Sequence, residues 1–307
     1  MTTKIWGIDV SKYNYPIDWN KVKNAGVEFA ILRVGFASTS NRNNLYIDPY
    51  FEKFYKDAKS VGMPVGGYFY SRCNSVETAK SEAKFIINTL KNKKLEYPVW
   101  LDVEDAKTLK TTSKSNMTKA VKTCLDELEK AGYYVGIYSG KYILRDELND
   151  NELKDYDHWI AQYSKECTYY SKHTMWQFGG ETNLLRSKKI NGIGNDVADQ
   201  NYCYIDYPTI IKTNGLNGYP KPTVGKEDTY ITNKVSFYIT NKVSFYIQTK
   251  GKLNIREKAS MEGKILYTAP KGVKYKITKM SSNGKWGYAP YRKGWLSLNK
   301  NYVEIVK

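Results

Sequence analysis

From residue 4 to about 205 the chain alternates short β-type runs with helix-like segments, a pattern that restricts it to α/β architectures. The β-type runs are Ile5–Asp9, Glu28–Arg33, Val65–Tyr70, Tyr97–Val103 and Tyr133–Tyr138. Helical segments at Trp19–Ala25, Pro49–Val61, Val76–Leu95 and Ser115–Ala131 lie between them. Gly26, Gly62 and Gly132 each follow a helix and precede a strand, as C-terminal caps do. Further runs come at Trp159–Tyr163, Met175–Phe178 and Val197–Asn201, but only the first stretch between them reads as helix. Repetition of βα units that decays into β predicts an irregular TIM-like (β/α) barrel whose late strands lack regular helices.

In a parallel barrel the C-terminal strand ends open onto one face. Here those ends are Asp9, Arg33, Tyr68 and Tyr70, Asp102 and Glu104, Tyr138, Gln162 and Tyr163, Gln177, and Asp199. Asp102 and Glu104 stand two apart, so on a strand both project to the same side, roughly 6–7 Å apart at their backbones. Paired carboxyl groups at that spacing suit acid chemistry, because the charge on one favours the proton on the other. Aromatic rings at Tyr68, Tyr70, Tyr138, Trp159, Tyr163 and Trp176 offer flat apolar walls on which a ligand can pack, and Arg33 is placed to pair with a carboxylate or meet substrate.

Residues 213–229 are turn-rich and read as a linker, which divides the chain into a domain over 1–212 and another over 230–307. The second segment shows short strands at Lys252–Arg256, Gly263–Thr268, Lys274–Met280, Lys285–Ala289 and Gly294–Leu298 with no helix, as expected of a small all-β, SH3-like barrel. At its start Ile231–Tyr238 recurs identically as Ile239–Tyr246. A tandem duplication at a domain edge explains the repeat; the alternative is strand addition between two chains.

Charge is uneven. Of the net +17, residues 213–307 hold 18 Lys+Arg against 5 Asp+Glu, whereas residues 1–212 hold 30 against 26. A basic tail suits a polyanionic partner. Its lysines are dispersed along the β segment rather than interleaved with aromatics on one element, which argues against nucleic acid. No apolar run approaches the roughly 18–20 residues of a membrane span, and Met1–Gly7 lacks the apolar core of a signal peptide. Cys73, Cys124, Cys167 and Cys203 show no paired spacing, and His158 and His173 show no ligand pattern, so free thiols and no metal or other cofactor are expected.

Several motifs match a known family. Gly7-Ile8-Asp9-Val10-Ser11-Lys12-Tyr13-Asn14 is followed by Ile17-Asp18-Trp19, then by Phe29–Gly35, Gly66–Tyr70 and Leu101-Asp102-Val103-Glu104. Trp159–Tyr163, Met175–Phe178 and Val197-Ala198-Asp199-Gln200-Asn201 complete the set. In order and spacing residues 1–210 resemble glycoside hydrolase family 25, the lysozymes of phage endolysins and bacterial autolysins. Two positions depart from the pattern: Ala198 interrupts the last motif, leaving Asp196 as a competitor of Asp199, and Phe178 replaces a common tyrosine. Residues from about 249 to 307 are similar to bacterial SH3 domains of the wall-binding kind, on Leu253–Arg256, Gly287-Tyr288 and Gly294–Leu296.

The resemblance implies cleavage of the β-1,4 bond from N-acetylmuramic acid to N-acetylglucosamine in peptidoglycan, with retention. It implies Glu104 as general acid and then base, with Asp102 raising its proton affinity. Asp102 would either orient the acetamido group of a self-assisting substrate or, like Asp199, act directly at the anomeric carbon. Asp9 and Asp199 would tune charge and bind substrate. The second domain would take a wall peptide or an anionic wall polymer. The implied setting is a phage endolysin held in the host cytoplasm, released through a holin pore to the wall without membrane insertion; an autolysin, a chitinase-like glycosidase and a non-catalytic wall-binding protein are the alternatives.

Overall fold

A computed structural model describes residues 4–169, 173–180, 189–194, 197–221, 245–281 and 285–306. Two compact units divide the chain, Met1–Lys221 and Pro222–Lys307.

The first unit begins with β1 (Ile5–Val10), α1 (Trp19–Asn24), β2 (Phe29–Ala37), a short β3 (Leu45–Ile47), α2 (Phe51–Ser60), β4 (Val65–Tyr70) and α3 (Val76–Leu90). It continues through β5 (Val99–Asp102), α4 (Ala106–Leu109), α5 (Lys114–Lys130), β6 (Val135–Gly140), α6 (Lys141–Asp146) and α7 (Asp150–Leu153). It ends with β7 (Asp157–Ala161), β8 (Met175–Gly179), β9 (Asp199–Cys203) and α8 (Tyr207–Asn214). Helix starts are set by side-chain caps: Asp18, Ser75, Ser113 and Asp206 each accept a hydrogen bond from a backbone N–H in the first turn.

The sheet order is β1-β9-β8-β7-β6-β5-β4-β2-β3, and β1 also pairs with β2, which closes eight strands into a barrel with β3 outside the ring. Neighbours from β1 through β2 and β4 to β8 are parallel. The last strand, β9, runs antiparallel to both β8 and β1. A uniformly parallel set is therefore corrected at this strand. Asp199 stands at the beginning of β9, not at its C-terminal end, and the reversed direction brings it beside Asp9.

Large rings fill the barrel. Trp100 and Trp159 cross edge to face at 5.6 Å, and Trp100 meets Tyr207 at 6.1 Å. Gly136 makes room for Trp100, since a Cβ there would lie 2.6 Å from Cε3 of its ring.

Residues 213–221, read as linker, belong to the first unit. Gly215 ends α8 in the left-handed conformation, and Asn217 is fully buried. Its side chain accepts from Tyr134 N at 2.7 Å and donates to the Tyr97 carbonyl at 2.8 Å. The Gly and Asn residues that signal a flexible turn are here a cap and a plug. Residues 222–229, the repeat up to residue 244, and Asp196 lie outside the described residues.

The second unit contains β10 (Phe245–Thr249), β11 (Leu253–Arg256), β12 (Ile265–Ala269), β13 (Lys274–Ile277), β14 (Lys279–Met280), β15 (Trp286–Ala289), β16 (Gly294–Ser297) and β17 (Val303–Val306). They form two antiparallel sheets, β13-β10-β17 and β12-β11-β16-β15-β14, around Ile247, Ile255, Tyr275, Ile277, Leu296, Leu298 and Val303. The final residues of the second repeat copy, Phe245 and Tyr246, enter β10, which pairs on both sides within its own chain. Those residues thus offer no open edge for a second chain.

Candidate active site

The alternation of strand residues places one phase of every barrel strand inside. At one mouth this phase supplies Asp9, Tyr68, Asp102, Tyr138, Trp159, Gln177, Asn201 and Asp199. Register ties them together: Asp9 stands opposite Asp199, Asp102 opposite Tyr138, Tyr138 opposite Trp159, and Gln177 opposite Asn201.

Asp9 is buried, and its Oδ2 accepts from Gln177 Nε2 at 2.9 Å and Asn201 Nδ2 at 2.8 Å. Both amides are oriented from behind. Tyr138 and Tyr163 each donate a hydroxyl to Gln177 Oε1 at 2.8 Å, and Trp159 Nε1 donates to Asn201 Oδ1 at 2.8 Å. Burial raises the Asp9 carboxyl to about 6, against the lowering effect of the two amides, with the charge of Glu104 adding to the rise.

Asp102 is 3% exposed. Burial, then the charges of Glu104 and Asp9, push its proton affinity well above the carboxylate range, while Arg33 and Arg72 pull the other way. Its Oδ1 has no hydrogen-bond partner among the described residues, a costly state for a buried oxygen and one that a substrate donor would relieve. Glu104, just beyond β5, presents surface to solvent, yet neighbouring protein desolvates its carboxyl and raises it, with Asp199 and then Asp105 contributing. The repulsion expected to act on Glu104 from Asp102 thus falls on Asp102, the more buried partner.

The aromatic residues divide by depth. Trp159 is 1% exposed and Tyr138 is buried, so they form a floor; Tyr68 and Tyr70 are half-buried and Tyr163 is 52% exposed. Two expected members lie elsewhere. Trp176 belongs to the opposite phase of β8 and packs on Phe178 and Tyr202, with its Nε1 donating to the Gln162 carbonyl. Gln162 is engaged by its own loop, donating to Ser164 Oγ and Thr168 Oγ1 and accepting from Thr168 N.

Arg33 pairs with Asp48, at 2.7 Å from Nε and 2.6 Å from Nη2, rather than with a strand-end carboxylate. Asp48 is 2% exposed and also accepts from Lys12 N and Tyr50 N. Arg72 similarly joins Asp105 at 3.2 Å and lies over the Tyr70 ring at 4.7 Å. Behind them Glu82, buried on α3, accepts from Ser71 Oγ at 2.5 Å and Arg72 N at 2.9 Å, while Ser71 N donates to the Asp102 carbonyl. The sequence reading did not assign roles to Asp48, Arg72, Glu82 or Asn201, nor a positioning role to Gln177. In-phase spacing could have found Gln177 and Asn201; the others are set by tertiary pairing.

The autolytic lysozyme of Clostridium acetobutylicum is 31% identical over 157 residues, 51% of this chain and 44% of the relative. A lysozyme of Lactococcus phage mv1 is 29% identical over 170 residues, 52% of this chain and 80% of its own. The chain thus spans less than half the length of the Clostridium relative. Among solved structures, the modular autolysin LytC from Streptococcus pneumoniae superposes with a TM-score of 0.55 at 26% identity, covering 66% of this chain and 47% of LytC. The model of glycosyl hydrolases family 25 matches residues 8–185, more than half of the sequence, and the chain belongs to that family.

Proposed function

We propose that this protein is a peptidoglycan hydrolase of the N-acetylmuramidase type, cutting the β-1,4 bond between N-acetylmuramic acid and N-acetylglucosamine. The observation that carries the reading is the pairing of a buried Asp102, with an unsatisfied Oδ1, and an open Glu104 of raised proton affinity on one strand end. Glycoside hydrolysis needs a carboxylic acid that still holds its proton near the leaving oxygen and a group that stabilises the anomeric centre. Glu104 fills the first role and then serves as base toward water. Asp102 Oδ1 accepts the acetamido N–H of the sugar and stabilises the developing positive charge, so the substrate's own carbonyl attacks and configuration is retained. Direct attack by Asp102 or Asp199 is the competing route; the buried orphan oxygen of Asp102 favours the assisted one. Asp9 and Asp199 set the field, and Tyr68, Tyr70 and Tyr163 line the sugar path.

The second unit is assigned as an SH3-like wall-binding domain, for a wall peptide or anionic polymer. The phage lysozyme among the relatives supports an endolysin released through a holin pore, and the Clostridium autolytic lysozyme supports an autolysin. Among the described residues no helix is long and apolar enough to cross a membrane.

Mass spectrometry of fragments from purified peptidoglycan tests the bond: reducing-end N-acetylmuramic acid is expected, and reducing-end N-acetylglucosamine would overturn the assignment. Glu104→Gln is expected to lower kcat about a thousandfold with folding intact. Near-normal turnover by that variant would remove Glu104 from the acid role.

A further inference from the structure

A recess of about 480 Å³ opens beside the carboxylate cluster. Its walls come from loops that leave the same mouth: residues 38–43 between β2 and β3, Arg72 after β4, and residues 105, 107, 108 and 111 after β5, with Thr78 of α3. Asp105 directly follows Glu104, and Arg72 lies over Tyr70 on one side while lining the recess on the other. Recess and cleavage site therefore share a wall.

Their chemistry differs. The cleavage site is faced by Tyr68, Tyr70 and Tyr163, whereas no aromatic residue is among the described lining of the recess, which is hydroxyl, amide and charged. A pyranose face finds no ring to pack on there. The charges are Arg42, Arg72 and Lys107 against Asp105. Arg72 and Asp105 neutralise each other at 3.2 Å, with side chains 11% and 14% exposed. Arg42 donates a long 3.4 Å bond to Thr111 Oγ1, and neither it nor Lys107 has a carboxylate partner among the described residues. The recess thus keeps two cations beside a set of neutral donors and acceptors, a match for a carboxylate on a backbone of amides.

We infer that this recess binds a carboxylate of the peptide branch carried by the muramic acid, so that the preferred substrate is peptide-bearing glycan rather than bare glycan. The inference rests on the muramidase reading above. Arg72, which lies over Tyr70 and also lines the recess, is the wall that such a branch would cross to reach Arg42 and Lys107.

The test compares soluble glycan fragments bearing peptides with the same fragments stripped of peptide by an amidase, both free of phosphate polymers. For R42A/K107A, KM on the peptide-bearing fragments is expected to rise about five- to tenfold with kcat held, as loss of two solvent-facing charge contacts would give. On stripped fragments wild type and variant should share one KM. R42E/K107E should shift KM further in the same direction; Lys107 is exposed, and Arg42 is half-buried with its long bond to Thr111. An unmoved KM on peptide-bearing fragments would overturn the inference, as would an equal rise on both substrates, which would place sugar in the recess. A shift seen only with whole walls that retain phosphate polymer would also overturn it, reassigning the cations to phosphate. Failure of the wild type to cut either fragment would instead strike the muramidase reading.

Discussion

Asp102 and Glu104 are two residues apart, but Asp102 has lost its solvent while Glu104 keeps some, and this decides how their shared charge is resolved. Burial penalises an anion more than a neighbour at the same distance does, so with no donor at its Oδ1 Asp102 is the more easily protonated of the two. A hydrogen-bond donor there would favour its anion and leave the proton on Glu104, the state that the acid role needs. The same reasoning applies one layer back, at Glu82. Its two hydrogen bonds favour the anion, yet burial prevails and lifts it to about 7 from 4.5. Between those two pH values the unfolded chain has ionised Glu82 while the folded chain retains its proton. Stability from this group is therefore complete below pH 4.5 and is lost as pH rises through 7. Over that window the loss is about 3 kcal/mol, and Asp9, raised to about 6, acts in the same direction. Glu82→Gln keeps the neutral shape and is expected to flatten the decline of Tm between pH 4.5 and 7.5. Parallel Tm profiles for the variant and wild type would refute this account.

Strand phase explains what was readable in advance. Asp9, Asp102 and Tyr138 could be placed at one mouth because alternation and parallel direction suffice to send them there. Trp176 shows the limit: it is next to Gln177 in a motif of the right kind, but one step out of phase, so it packs outside with Tyr202. The reversal of β9 left no local mark, since direction is set by pairing with β8 and β1 and not by composition. Likewise the choice of Asp48 by Arg33 depends on where the β3 hairpin returns the chain. The junction after β8 also has a steric requirement. A Cβ on Gly180 would collide with the Asp199 carboxylate, so Gly180→Ala must displace that group. With Asp199 among the charges acting on Glu104, kcat is expected to fall about tenfold to a hundredfold, the scale of a displacement near 1 Å. Unchanged kinetics would show that Asp199 need not sit where the glycine lets it.

At the scale of the molecule, acidic and basic work are separated along the chain: the cleavage mouth gathers carboxylates, and the surplus of Lys and Arg belongs mainly to residues 213–307. A wall rich in anions would be held by the second unit while the glycan enters the first, an arrangement that can be tested by cutting the chain in two. Where to cut follows from packing. A chain ending at residue 212 stops inside α8 and omits Asn217, whose backbone and side chain bond Leu95, Tyr97, Gly132 and Tyr134. Deleting it leaves several buried backbone groups unmatched, each costing roughly 1–3 kcal/mol. A chain ending at Lys221 keeps them all. The 1–221 chain is therefore expected to fold with near-full-length Tm and to cut soluble glycan at a similar rate, whereas the 1–212 chain melts lower. Pelleting with purified walls at low salt should retain more full-length protein than 1–221, and the difference should shrink as salt rises, because the contacts assigned to the basic second unit are ionic and salt screens them. Equal retention of both at every salt concentration would place wall binding in the catalytic unit instead.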